Sequence, residues 1–280
     1  MRCAWQAYLK LIPHRMRQEI DKYGRQELQE LRLRTGMEIE LVFQQGSHRL
    51  PYKITNDDIA FVINVASEYS PWAATSMSKG FITAQGGHRV GICGVATVQN
   101  GKMTGISQPT SLCVRVARDF DNIAHGLETL SDSILIIGPP NSGKTTLLRD
   151  LIRLKSNAGQ GNVSVVDERE ELFPLVKGVP CFSSGSQTDV ITACPKNMGI
   201  ETVLRTMSPG WVAVDEITAQ SDCDALLYAG WCGVNLMATA HAGTIQDLKT
   251  RPVYRSIIDY KLFSTVVILQ RDKSWRIERM

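Results

Sequence analysis

The chain has 280 residues, 43% of them hydrophobic and 21% charged, with a net charge of +3. That profile suits one large or two ordinary globular domains with a sizeable core. The charge is too small to argue for nucleic acid, and no apolar run approaches the ~18 residues of a membrane span. Residues 1 to 25 mix Trp5, Tyr8, Leu9, Leu11 and Ile12 with six Lys and Arg. They lack the long apolar stretch of a secretory leader. The expectation is a soluble protein, peripheral to a membrane at most. Seven cysteines, with no CxxC pair, point to a reducing compartment. Cys93, Cys113, Cys194, Cys223 and Cys232 sit in or beside apolar runs and are expected to be buried free thiols.

In chain order, residues 13 to 23 read as a short helix opened by Pro13. LQELRLR and EIELVF read as two strands around a turn at Thr35-Gly36. TNDDIAFVINVASEYS, residues 55 to 70, starts with cap-type residues and carries Ile59, Val62, Ile63 and Ala66 at helical spacing. GFITAQGGHRVGICGVATVQNGKMTGI and SLCVRVAR are β-rich, and Asn100-Gly101 fits a tight hairpin turn. Residues 1–127 are therefore expected to form an α+β domain.

The rhythm changes from residue 133. SILIIG, VSVVD, WVAVDEI, VNLMATAH and TVVILQ are apolar strands with helix-compatible segments between most of them. Residues 128–280 are expected to form an α/β domain with a mainly parallel sheet covered on both faces. In such sheets the ligand sits at the carboxyl ends of the strands.

Gly138, Pro139, Pro140, Asn141, Ser142, Gly143, Lys144 and Thr145 match the eight-residue P-loop pattern at every fixed position, between a strand and a helix. The reason is physical. Backbone N–H groups must turn inward around a phosphate, which glycine permits, and the helix start at Lys144-Thr145-Thr146 adds its own donors and dipole. Lys144 is expected on the β and γ phosphates of ATP and Thr145 on Mg²⁺.

Two apolar strands end in Asp-Glu: Val163–Val166 before Asp167-Glu168, and Trp211–Val214 before Asp215-Glu216. One carboxylate, with Asp215 the expectation, would serve Mg²⁺; Glu216 or Glu168 would act as the base on water. Sequence alone leaves that choice open. Thr239 and His241 close a third strand and are expected near the γ-phosphate.

The stretches ELRLRTG (30 to 36), GGHRVGICG (86 to 94), GPPNSGKTTLLRD (138 to 150), VVDERE (165 to 170), TDVITACPK (188 to 196), RTMSP (205 to 209), VDEI (214 to 217) and ATAH (238 to 241) follow in order through nearly the whole chain. By them the chain resembles the stage III sporulation protein AA family of endospore-forming bacteria, itself similar to the ATPases of type II and type IV secretion and of pilus machines. The resemblance implies a RecA-like ATPase domain behind an N-terminal domain and a homo-hexameric ring. It also implies a cytoplasmic motor on the mother-cell side of the outer forespore membrane, with membrane proteins of a sporulation channel as partners. It makes VVDERE an Asp box, VDEI a Walker B and ATAH a His box. Gln187, Thr218 and Ala242 depart from the pattern, which leads one to expect Arg, Gly and Gly there.

Ring ATPases commonly complete their site with arginines. Arg89, between glycines, and Arg115 are the candidates in the first domain, and Arg205 in the second. Arg32 and Arg34 alternate with leucines on one strand face, as on a solvated sheet. The leading expectation is an ATP-hydrolysing motor that assembles, or transports through, a secretion-like channel. A nucleic-acid-dependent ATPase and a nucleotide-gated scaffold are the alternatives. The chain shows no aromatic-basic platform for single strands, so no stable nucleic-acid partner is expected.

Overall fold

A computed structural model describes residues 1–69, 79–159 and 161–280; Ser70, the last residue of the expected 55–70 helix, lies outside them. The chain divides into two compact units. One comprises Met1–Asp119 and Leu175–Cys181, the other Phe120–Pro174 and Phe182–Met280.

In the first unit, strands β1 (Glu30–Arg34), β2 (Glu38–Phe43), β3 (Gly46–Lys53), β4 (Phe81–Thr83), β5 (Arg89–Gln99) and β6 (Lys102–Arg115) form one sheet in the order β3-β2-β1-β6-β5-β4. Every pair is antiparallel. Alternation decides its faces. Leu31, Leu33, Ile39, Leu41, Val90, Ile92, Leu112 and Val114 join one core with Tyr8, Ile12, Met16, Ile59 and Val62. Four of those five come from helices α1 (Trp5–Leu11), α2 (His14–Asp21) and α4 (Asn56–Ala66), and Ile12 is the residue that ends α1. A short helix, α3 (Gly24–Glu27), leads into β1. Thr55 caps α4 in a reciprocal box with Asp58, which satisfies two donors that the first turn leaves open. Asn100 and Gly101 both have positive φ, 51° and 72°, as the expected two-residue hairpin turn requires.

The second unit carries a sheet in the order β11-β8-β12-β13-β7-β14-β15. Its strands are β7 (Ile134–Gly138), β8 (Val163–Asp167), β11 (Thr188–Thr192), β12 (Trp211–Val214), β13 (Asn235–His241), β14 (Thr265–Leu269) and β15 (Trp275–Arg279). All pairs are parallel except β14 with β15. β9 (Leu175–Val176) and β10 (Val179–Pro180) form a hairpin that belongs to the first unit. Both faces of the large sheet are covered. Ile134, Ile136, Val163, Val165 and Val267 pack with Leu147, Leu148 and Leu151 of α5 (Lys144–Asn157). On the other face Leu135, Ile137, Val212, Val214 and Val266 pack against α6 (Lys196–Thr206), α7 (Gln220–Trp231), α8 (Ile245–Thr250) and α9 (Arg255–Asp259). This two-sided burial is why β7, β8, β12 and β14 are buried end to end and read as unbroken apolar runs.

α5 also anchors the chain around it. Asp150 accepts from the N–H groups of Asn122 (3.2 Å) and Ala124 (2.8 Å) and pairs with Arg153, which also binds Asp121. Arg149 donates to the carbonyls of Leu172 and Glu171, both at 2.7 Å, and lies over the Phe182 ring. The P-loop helix is thus fixed along its length before any ligand reaches its start.

The thiol expectation holds only in part. All seven cysteines are free and Cys223 is buried, but Cys113 and Cys194 are half-buried and Cys93 and Cys232 are exposed. Cys93 faces away from the core, opposite Ser111 on β6, and Cys232 caps the end of α7. Neighbouring apolar letters did not mark the side of the element that each thiol occupies.

Candidate functional site

The loop after β7 turns on two residues with positive φ, Asn141 (61°) and Gly143 (102°). At Gly138 a Cβ would lie 2.7 Å from the Leu269 carbonyl and 2.7 Å from Ser142 Oγ, so only glycine leaves the loop its path. The Ser142 hydroxyl is buried and has no hydrogen-bond partner. Lys144 is buried at 6% exposure, and its Nζ lies 3.1 Å from the Gly138 carbonyl, 3.0 Å from that of Pro139 and 3.0 Å from His241 Nδ1. Burial lowers the Lys144 pKa, against the raising pull of Asp215 and Glu216. An ammonium folded onto its own loop, with an orphaned hydroxyl in the same turn, suits an anion as its missing partner.

The strand ends meet this loop from one side. β13 separates β7 from β12, so two strand spacings, roughly 10 Å, lie between them. The Thr145 hydroxyl donates to Asp215 Oδ2 at 2.7 Å, and the Thr239 hydroxyl donates to Asp215 Oδ1 at 2.6 Å. Burial pushes the Asp215 carboxyl up, while the hydroxyls of Thr239 and Thr145 pull it down. Thr239 also accepts from the Glu216 N–H at 2.7 Å, and Glu216 sits at φ 55°, a costly conformation for a side-chain-bearing residue. One buried hydroxyl thus orders both acids.

Glu216 is held from two directions. Its Oε1 is 2.9 Å from His241 Nε2 and its Oε2 is 2.5 Å from an Arg169 guanidinium nitrogen. With Lys144 donating to Nδ1, the proton of a neutral His241 belongs on Nε2 and points at Glu216. Arg169, Glu216, His241 and Lys144 form an unbroken row.

The other Asp-Glu pair is built differently. Asp167 is 1% exposed and accepts from the N–H groups of Glu171 (2.9 Å), Leu172 (3.0 Å) and Phe173 (2.8 Å). Burial nevertheless raises its pKa to about 6. Glu168 pairs with Lys196 at 2.7 Å, and that buried lysine is also 3.6 Å from Asp222. The structure therefore brings Lys144, Thr145, Asp215, Glu216 and His241 together, and turns Glu168 to Lys196.

Arg89 and Arg115 stand directly opposite each other on β5 and β6, in the first unit. The Arg89 guanidinium lies 3.8 Å over the Phe81 ring, and Arg115 pairs with Glu30 at 3.3 Å. Arg32 and Arg34 pair with Glu30 and Glu40. The glycines before Arg89 serve a turn. Gly86 and Gly87 have φ of 82° and 79°, and a Cβ on Gly86 would lie 2.4 Å from that of Ala4. His88, which follows them, is fully buried, accepts from the Ala117 N–H and contacts the Ala4 carbonyl, each at 3.0 Å. Burial drops its pKa to about 4, so it is a neutral structural histidine. Arg205 is exposed and pairs with Glu201 along its own helix.

Sequence reasoning missed Arg169 and Lys196, whose partners lie 47 and 28 residues away. It also missed Lys273, which donates to the Asn141 carbonyl at 2.6 Å from 132 residues away. No local spacing signals such contacts.

Comparisons with known proteins bear on the fold and on the family. The chain is 16% identical to the ATPase DotB of Legionella pneumophila, with a TM-score of 0.58 over 96% of this chain and 80% of that one. It is 15% identical to the pilus retraction motor PilT, solved with ADP bound, with a TM-score of 0.62 over 90% and 76%. These likenesses establish the RecA-like α/β fold. Protein SEEDLING PLASTID DEVELOPMENT 1 of Arabidopsis thaliana is 24% identical over 90% of this chain, which spans 36% of that longer protein. Stage III sporulation protein AA of Bacillus subtilis (strain 168) is 35% identical over 278 residues, 94% of this chain and 90% of that one. The family model for sporulation stage III, protein AA, matches residues 6–277. With its P-loop, two Asp-Glu strand ends and His-bearing strand on a RecA-like sheet, the chain belongs to the stage III sporulation protein AA family.

Proposed function

We propose that the chain is an ATPase that binds ATP at Gly138–Thr146 and hydrolyses it with Glu216 as the base. One observation carries the reading: Thr145 and Thr239 converge on Asp215, while Glu216 and His241 lead back to Lys144. The donor set suits Mg²⁺. That ion takes few protein oxygens and fills its octahedron with water and phosphate, and Thr145 Oγ1 with Asp215 Oδ2 supplies such a hard oxygen pair. The ion's chemistry is to neutralise charge on the phosphates.

The protein's own groups do the rest. Inward N–H groups of the loop and the Lys144 ammonium hold the phosphates, displacing the contacts of Lys144 to the Gly138 and Pro139 carbonyls. Ser142 supplies its free hydroxyl. Glu216 orients water and takes its proton, held in place by Thr239. Glu168, tied to Lys196, supports the neighbouring strand end instead.

Within this reading the ATPase is a homo-hexameric motor at the cytoplasmic face of a membrane, serving a secretion-like channel during endospore formation. Family membership and the fold shared with DotB and PilT support it. Among the described residues no helix is long and apolar enough to cross a membrane. Arg89 and Arg115 are proposed to act on the γ-phosphate, in their own subunit or the next. Mixing Lys144→Ala with Arg115→Ala subunits restores part of the activity if they act in trans; two inert single variants that stay inert on mixing oppose it. The primary test is Lys144→Ala, which should lose most ATP hydrolysis and keep its circular dichroism spectrum. Hydrolysis at the parental rate would overturn the assignment.

A further inference from the structure

Arg169 follows the first Asp-Glu pair but binds the acid of the second. Its guanidinium is 2.5 Å from Glu216 Oε2 and 3.4 Å from Glu171, and the side chain is about half exposed. The other groups that touch the Glu216 carboxylate or its backbone N–H in this row are the partly exposed His241 at Oε1 and the buried Thr239 at the N–H. Arg169 is the long, half-exposed member. It closes the row that ends at Lys144, a cation also folded onto stand-in partners, namely carbonyls and a histidine.

We propose that Arg169 is a same-chain phosphate arginine that pairs with Glu216 and transfers to the γ-phosphate of bound ATP. The inference rests on the ATPase reading above and names a further catalytic residue for it. The driving force is electrostatic. A terminal phosphate offers more negative charge than one carboxylate and matches the planar guanidinium fork with paired oxygens. Transfer has a second consequence. While Arg169 is parked, Glu216 has both oxygens engaged, one by Arg169 and one by His241. When Arg169 leaves for the phosphate, Oε2 is free to accept a proton from water. The base is thus released only when a γ-phosphate is present. ADP, which lacks that group, leaves the arginine parked.

The test compares Arg169→Ala and Arg169→Lys with the parent, measuring steady-state hydrolysis and the binding of ADP and of a non-hydrolysable ATP analogue. A charge-assisted contact of this kind predicts that Arg169→Ala lowers kcat about 10- to 100-fold. It should weaken the ATP analogue about 10-fold and leave ADP within about 2-fold, with Arg169→Lys recovering part of both losses. The half-exposed side chain makes misfolding of these variants unexpected, and thermal melting checks it. A kcat equal to or above the parent's overturns the proposal, as does an equal loss of affinity for ADP and analogue. Lys144→Ala in the same assay separates the two claims. If it is inert while Arg169→Ala is fully active, only the role of Arg169 fails. If it retains full activity, the ATPase reading itself fails.

Discussion

The strands Val163–Asp167 and Trp211–Val214 lie side by side in register, Val166 against Val214, and each runs into Asp-Glu. The two ends nevertheless do different work. At the β12 end, Asp215 receives two hydroxyls and Glu216 reaches a histidine and an arginine. At the β8 end, Asp167 receives three backbone N–H groups from its own following turn and Glu168 pairs with a buried lysine. One strand spacing, roughly 4.8 Å, makes the difference. β12 is close enough to the P-loop strand for Thr145 to reach its aspartate, whereas β8 is one strand farther out. A carboxylate beyond reach of the loop is satisfied locally and becomes a structural fixture.

The comparison breaks most sharply at the bases. Glu216→Gln should keep nucleotide binding and lower kcat by roughly 10² or more, the usual scale for a general base. Phosphate release at saturating ATP measures it, and parental turnover would remove Glu216 from that role. Thr239→Val comes next. Losing the hydroxyl that orders both acids should lower kcat about tenfold, in line with one buried hydrogen-bonded group, and Thr239→Ser should restore it. If Val and Ser behave alike in the hydrolysis assay, the hydroxyl does not position Glu216.

Asp167 sharpens the other side. Asp167→Asn keeps shape but meets three N–H donors with one acceptor fewer. It should cost about 1–3 kcal/mol in denaturant unfolding while sparing the kcat of the folded enzyme. The pH dependence has a definite sign. Burial raises the Asp167 pKa to about 6, against about 3.9 in an unfolded chain. The native state therefore binds more protons in that interval, and this residue's contribution falls as pH rises from about 4 to 6. Unfolding curves across that range should show the loss for the parent and not for Asp167→Asn; identical slopes would contradict the assignment. The smallest effect belongs to Glu168→Gln. Glu168 is partly exposed and its buried partner Lys196 keeps Asp222 at 3.6 Å, so hydrolysis should stay within about 2-fold of the parent's. A large loss of kcat would make Glu168 the base and reverse the comparison.

Much of this was legible in the sequence because it depends on neighbours along the chain. The P-loop spacing, the five apolar strands of the second sheet, the Thr55 cap and the Asn100-Gly101 turn are local statements, and the backbone obeys them. Other features rest on contacts between residues far apart. Thr188–Thr192 forms an edge strand that is half-buried throughout, so it lacks the unbroken apolar run that marks its inner neighbours. Leu175–Cys181 lies between two segments of the second unit in sequence and joins the first. The sequence alone determined that a phosphate loop would face strands ending in acids, since strand, loop and helix are set by local spacing and covered faces. Tertiary structure decided which acid meets Thr145, which hydroxyl orders it and which arginine holds Glu216. Those choices follow from the lateral order of strands, which places Thr145 and Asp215, 70 residues apart, within one hydrogen bond.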